Sequence, residues 1–301
     1  MVALENILVG LSYMALSLIF AFTNGIVSFV LIRHKEYHTT TYRIILIMLL
    51  GSIMQLMTHF AGGVITINNG DQSVYLERIA GAWMVSGWFV YLAASLALAV
   101  DRTLTFVKIF DTRMTEVVIW GFLVFSLLCG LVYLVCLLLP TFGFTYYTGK
   151  GYGTWYYDGQ SDTKYLETLE MILDFSILIS VLLLYFLVFV RIVLMRKSAQ
   201  TGMSSSAVEI RLLSIAVISF LYECTFLMWF FWGSQLMTEG MVSSAIVTLL
   251  WIVDCGLFSL ATIAINTSIR KKIARLCWRQ KPVKIVGVVS IFHTTTPWSN
   301  R

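Results

Sequence analysis

The stretch Ala93-Ala94-Ser95-Leu96-Ala97-Leu98-Ala99-Val100-Asp101-Arg102-Thr103 holds eight small or apolar residues and then breaks into an acid and a base. It closes an apolar run from 79 to 100. A bilayer core takes roughly 20 helical residues, so Asp101 and Arg102 fall where such a helix leaves the membrane. Six more runs have the same character: 8 to 32, 44 to 67, 117 to 139, 171 to 190, 212 to 233 and 242 to 265. None shows the strict alternation of a half-buried strand. With 58% hydrophobic and 12% charged residues in 301, there is no room for a soluble module. The expected fold is an all-α membrane protein, a seven-transmembrane helix bundle forming one domain over 1 to 301.

Lys and Arg resist translocation and collect in cytoplasmic loops. All 21 lie outside the seven runs, 18 on one side and only Arg78, Lys150 and Lys164 on the other. The N-terminus is therefore expected outside and the tail, 266 to 301, in the cytoplasm. Eight acids against three bases leave the outer side at −5, and five acids against 18 bases put the inner side at +13. The inner face fits a lipid bilayer with an anionic inner leaflet and acidic cytoplasmic partners, not nucleic acid. Residues 1 to 7 carry no base, so the first run is expected to stay as an anchor instead of being cleaved. The five Cys lie in the runs, at the membrane edge or inside, which leaves no extracellular pair to oxidise.

Connections are short except for 140 to 170 on the outer side. There Phe142-Gly143-Phe144-Thr145-Tyr146-Tyr147 and Gly153-Thr154-Trp155-Tyr156-Tyr157 predict a hairpin or compact cap from their aromatic and glycine content. It would either lid a pocket or rest as an aromatic belt at the interface.

Polar groups at membrane depth are expensive unless paired or functional. Asp174 lies near the outer end of helix five, Glu223 and Asp254 near the middle of helices six and seven, and His59 in the outer half of helix two. No run contains a Lys or Arg to pair with these acids. Glu223 and Asp254, at similar depth, are expected to form a structural hydrogen-bonded pair, the alternative being a wet cavity that takes a polar ligand. Asp174 and His59 are ligand candidates, though a single membrane histidine also serves as a packing hydrogen bond. Ala93 and Ala97 have the small-xxx-small spacing that lets backbones approach closely, so helix three is expected to be central. Counting back from Arg102 places Met84, Val85 and Trp88 on its pocket-facing stripe, with Phe230 and Phe231 opposite. The same spacing fits a packed core. A pocket there would be apolar and aromatic, suiting a small, partly hydrophobic molecule.

An acid and a base ending the third of seven helices resemble the Asp/Glu-Arg-Tyr motif of rhodopsin-like G-protein-coupled receptors, with Thr103 as third residue. Asn24-Gly25-Ile26-Val27 resembles the helix-one motif, Tyr185 stands in the inner half of helix five, and Asn266-Thr267-Ser268-Ile269-Arg270 resembles the junction into a short amphipathic eighth helix. That helix places Ile269, Ile273, Leu276 and Cys277 on one face and bases around the other. Cys277 is either a palmitoyl site or a free thiol.

Helix two lacks Asp in Gly51-Ser52-Ile53-Met54, Glu77 stands where a disulfide Cys would begin helix three, and Phe258-Ser259-Leu260-Ala261-Thr262 replaces Asn-Pro-x-x-Tyr. With these departures the chain resembles the nematode serpentine chemoreceptors, class T ahead of class X. The likeness rests on 42 to 51, 81 to 102 and Ala264-Ile265-Asn266-Thr267-Ser268-Ile269-Arg270. It implies a multi-pass plasma-membrane receptor on sensory-neuron cilia that binds a small-molecule ligand in its outer half and signals through a heterotrimeric G protein. Coupling would fall to Asp101, Arg102, Tyr185 and Glu209, with Arg102 paired at rest to Asp101 and to Glu209 on helix six.

The rival from another class is a seven-helix transporter or ligand-gated channel using the membrane carboxylates. Transporters show repeats or broken helices, whereas Pro140, Pro282 and Pro297 all lie outside the runs. A retinal Schiff base would need a lysine within a run. No cofactor, metal cluster or catalytic motif is legible, and an enzyme is not expected.

Overall fold

The computed structural model describes residues 4–68, 73–107, 111–147, 153–198, 204–236 and 240–277. The predicted runs correspond to seven long helices, the fourth run passing the end of its helix by one residue: α1 (Leu4–Arg33), α2 (Thr40–Ile67), α3 (Val74–Val107), α4 (Thr112–Leu138), α5 (Ser161–Ser198), α6 (Ser204–Leu236) and α7 (Gly240–Ile265). Most extend past the apolar run at one or both ends. Hydropathy sees only the hydrocarbon core, while the intrahelical hydrogen bonds continue into the headgroup region. A short helix, α8 (Thr267–Cys277), follows. All seven long helices are apolar enough to cross a membrane.

α3 is the centre of the bundle. Its most apolar stretch is 83% buried, against 33% for α1, 28% for α4 and 22% for α5. Glycine makes this possible where α2 crosses α3. A Cβ on Gly51 would lie 2.6 Å from the Gly87 carbonyl oxygen, and one on Gly87 would lie 2.8 Å from that of Gly51. Each missing side chain admits the other backbone, so α2 and α3 pack at the distance small residues permit. Thr58 Oγ1 then donates across the seam to the Ala80 carbonyl at 3.2 Å.

Between α4 and α5 the outer loop forms a two-stranded antiparallel hairpin, β1 (Phe144–Tyr147) and β2 (Thr154–Tyr157), with Phe144 opposite Tyr157 and Tyr147 opposite Thr154. Its aromatic side chains enter the bundle. Phe144 and Trp155 are fully buried. Gly81 of α3 and Gly62 of α2 leave the space they need, since a Cβ on Gly81 would run into the Phe144 backbone and one on Gly62 would lie 2.9 Å from Trp155 Nε1. The hairpin is thus a cap seated inside the helix bundle instead of a belt at the interface.

At the inner end α8 docks through its first turn. Asn266 Oδ1 accepts from the Ser268 and Ile269 amides at 3.1 and 3.3 Å, satisfying two of the orphan donors of a helix start. Ile269 is buried, Tyr37 bonds Ser268 at 3.1 Å, and Lys272 pairs with Glu36 while lying over the Tyr37 ring. Arg270, Lys271 and Arg275 stay exposed.

Candidate functional site

Four layers stack along the bundle, from the outside inward. The outermost is a cavity of about 590 Å³ between the hairpin and the outer ends of α6 and α7. Tyr147, Tyr156, Tyr157 and Asp158 wall it from the hairpin side, and Phe230, Ser243 and Val247 from the helices. The hairpin is fixed to three helices by side-chain hydrogen bonds. Tyr156 donates to Glu167 Oε1 at 2.6 Å and Tyr157 donates to Glu170 Oε2, both on α5. Tyr146 bonds Thr66 of α2 at 2.6 Å, and Thr248 of α7 donates to Thr154 at 3.1 Å. Burial pushes the Tyr146, Tyr156 and Tyr157 phenols upward from 10, and the neighbouring Glu167 and Glu170 carboxylates push the last two further. All three therefore remain neutral donors at physiological pH.

Beneath the hairpin lies an aromatic layer centred on Trp251. Rings of His59, Phe144, Phe226, Phe230 and Trp88 meet it at centroid distances of 5.2 to 6.3 Å. Trp88 Nε1 donates to Asp174 Oδ1 at 3.2 Å, which joins α3 to α5. Trp251 Nε1 donates to Gln55 Oε1 at 2.6 Å, and Gln55 Nε2 returns to the Gly51 carbonyl at 3.1 Å. Gln55 was not singled out from the sequence. It directly follows the Gly51–Met54 segment where an acid is missing, and a lone amide in an apolar run is the signal that marks it.

These contacts place the predicted pocket residues. Of His59, Met84, Val85, Trp88, Asp174, Phe230 and Phe231, only Phe230 borders the outer cavity. Trp88, Asp174 and Phe230 belong to one connected layer, and His59 reaches it through Trp251. Neither nitrogen of His59 has a hydrogen-bond partner, and Asp174 Oδ2 is likewise without one. Met84 and Val85 are buried in the core, while Phe231 stacks loosely among Phe175, Phe230 and Trp232 on the α5 side. The hairpin accounts for the difference, because its aromatic face fills the space above α3 that the stripe alone leaves open.

Deeper still is a polar core. Asn24 Nδ2 donates to the Cys255 carbonyl at 3.0 Å and Thr23 bonds Ser259 at 3.2 Å, tying α1 to α7. Glu223 and Asp254 are fully buried, lie within electrostatic reach of one another and of Tyr91, and each leaves one oxygen without a partner. Tyr222 donates to the Leu250 carbonyl at 3.1 Å beside them.

The fourth layer is the inner end of α3. Asp101 and Arg102 are 4% and 2% exposed. Arg102 Nη2 lies 2.5 Å from Asp101 Oδ2 and also donates to Thr41 Oγ1, whose hydroxyl donates to the same carboxylate oxygen at 2.8 Å. Thr41 of α2 is thus an interhelical partner of the pair. Thr103 bonds back to Ala99 at 2.8 Å and reaches the Leu184 carbonyl of α5 at 3.5 Å. Tyr185 is buried beside Phe220. The side chains of Glu209 and Cys277, and the tail from 278, lie outside the described residues. Among the described residues no group of three or more His, Cys, Asp or Glu side chains is placed to hold a metal.

An outer hairpin set into seven membrane-length helices, with a buried third helix and an amphipathic eighth, defines the seven-transmembrane receptor fold. The structure is similar to a crystal structure of squid rhodopsin, with a TM-score of 0.69 over 90% of this chain and 84% of that one, at 12% identity. That likeness concerns the fold alone. Residues 2–285 match the serpentine type 7TM GPCR chemoreceptor family Srt, and the chain belongs to that family. It is a multi-pass membrane protein of receptor type. No curated protein matches it in sequence.

Proposed function

We propose that this chain is a chemosensory receptor of the plasma membrane, in sensory cilia, with its N-terminus outside. It binds a small external chemical in its outer half and passes the signal to a heterotrimeric G protein at its cytoplasmic face. The observation that carries this reading is the pairing, on one helix bundle, of an outer cavity with a buried inner arginine that the Asp101 and Thr41 side chains hold.

Phe230 links the two. It borders the cavity, lies 5.6 Å from Tyr156, and touches Phe226 and Trp251, which in turn contact Trp88 of α3. A ligand that binds better when α6 is displaced shifts the population toward that packing, and only by its difference in affinity for the two states. Displacing α6 opens the inner crevice and lets Arg102 leave Asp101 and Thr41 for the G protein. Tyr185, close enough to Arg102 to feel its charge, and Glu209 on the inner part of α6 complete the coupling surface. Trp88, Asp174, His59, Met84, Val85 and Phe231 set the shape of the layer beneath the ligand, and Asn24, Glu223 and Asp254 form the polar core around which helices repack. Exposed Arg270, Lys271 and Arg275 rest α8 on anionic lipid, with Cys277 as its acyl attachment.

The test is guanine-nucleotide exchange on purified G protein by the receptor in lipid nanodiscs, against a panel of volatile and water-soluble odorants. A stimulated rate that disappears in Arg102→Ala at equal folded receptor supports coupling through α3. The partnerless oxygens of Glu223 and Asp254 favour the second reading, a cation pathway. A ligand-evoked current surviving Arg102→Ala and G-protein block would put that reading first.

A further inference from the structure

The outer cavity has the chemistry of a cation site, although its only charged described lining residue is one aspartate. Four aromatic residues, Tyr147, Tyr156, Tyr157 and Phe230, contribute to its walls. Tyr156 and Tyr157 stand at 77° to one another with centroids 6.3 Å apart, and Phe230 lies 5.6 Å from Tyr156. The Tyr157 and Phe230 rings thus both lie beside that of Tyr156 at the cavity, and clustered aromatic rings are what hold quaternary ammonium groups.

The orientation of the phenols strengthens this. Both hydroxyls are turned away to α5, where they donate to Glu167 and Glu170. Tyr156, donating to the Glu167 carboxylate, gains electron density on its ring, so the ring becomes more attractive to a cation. The same bonds prevent these hydroxyls from serving as donors to an anionic ligand. Asp158 borders the cavity beside the rings, its Oδ1 accepting from Thr163 at 2.6 Å. No Lys or Arg occurs among the described lining residues. The volume of about 590 Å³ is within the range that accommodates a small ligand with an apolar body.

We propose that this cavity binds a small organic ammonium ion, seated on Tyr156, Tyr157 and Phe230 with Asp158 as its counter-charge. The proposal rests on the reading that the outer cavity is where the external chemical binds, and it names that chemical's class. The apolar body of the ligand lies toward Val247, and the charged head faces the hairpin.

The discriminating probe is choline against its uncharged carbon isostere, 3,3-dimethylbutan-1-ol, which has the same shape. Binding of each to the full-length receptor in nanodiscs, without G protein, is followed by saturation-transfer NMR, with empty nanodiscs subtracted to remove partition of the alcohol into lipid. Choline is expected to bind about tenfold more tightly. Tyr156→Leu should abolish that preference, whereas Tyr156→Phe, which keeps the ring and loses only the Glu167 bond, should retain most of it. Asp158→Asn should weaken choline and leave the alcohol unchanged. Its amide oxygen still accepts from Thr163, so this arm stands even where Tyr156→Leu does not fold. Equal affinities overturn the proposal, as does tighter binding of the alcohol or binding of neither probe to receptor of verified helicity. A choline preference untouched by both Tyr156→Leu and Asp158→Asn also overturns it, by placing the ammonium elsewhere. Because no G protein is present, failure here leaves the coupling reading intact.

Discussion

Each end of α3 carries an arginine, and the two are held by different kinds of partner. Arg78, at the outer end, donates to the backbone carbonyls of Leu139 and Phe142, where α4 gives way to the outer loop. Helix C-terminal carbonyls lack intrahelical donors and carry the negative end of the helix dipole, so a guanidinium there is well matched. Arg102, at the inner end, is held by the carboxylate of its own neighbour and by a threonine hydroxyl. A carbonyl can be released only by moving the main chain, whereas a carboxylate or hydroxyl releases its partner by rotating a side chain. The outer end of α3 is built as a frame and the inner end as a contact that can be exchanged. Arg78 stands next to Glu77, the residue found where the wider family has its disulfide cysteine.

The largest effect should come from removing the inner arginine. Arg102→Ala leaves Asp101 buried without its base, and breaking a buried pair in this way costs roughly 3 kcal/mol. A clear fall in the thermal midpoint in nanodiscs, together with loss of G-protein activation per folded receptor, is expected. An unchanged midpoint would mean that Thr41 alone satisfies Asp101. Arg78→Met should cost less, about 1–2 kcal/mol for charge-assisted bonds at a partly exposed site. Activation per folded receptor should be unaltered, and a loss of coupling in this variant would break the division between frame and switch. Thr41→Val removes the hydroxyl shared by Arg102 and Asp101, costing about 1 kcal/mol. It should raise ligand-independent nucleotide exchange, since the arginine has one partner fewer across the α2–α3 seam.

The smallest effect concerns the dock of α8. The Lys272 hydrogen bond holds the Glu36 carboxyl below its ordinary value of 4.5. A depressed folded-state value means that this stabilisation is present above 4.5 and is lost as pH falls through it toward the folded-state value. Glu36→Gln should therefore flatten the dependence of the thermal midpoint on pH between neutral and 4, measured at constant salt. A slope identical to the parent would show the exposed pair contributes nothing, as many such pairs do.

The seven helices, the amphipathic eighth and the outer hairpin were legible in the chain because each is a local matter. A bilayer-length apolar run, a capped amphipathic turn and an aromatic glycine-rich loop announce themselves without reference to any other segment. The Asp101–Arg102 pair was legible for the same reason, being adjacent residues. What could not be read is every partner that depends on how far one helix is rotated and how closely it approaches the next. Thr41 meets Arg102, and Gln55 meets Trp251, because Gly51 and Gly87 let α2 and α3 touch and so fix the faces they turn. Where the open space lies depends on packing for a related reason. The stripe Met84, Val85 and Trp88 does face inward, but Gly62 and Gly81 admit the hairpin above it, and the open space moves outward to Tyr156, Asp158 and Phe230. Hydropathy reports which residues leave water. Packing between distant segments, where an added Cβ would meet the neighbouring backbone within 3 Å, decides which of them meet.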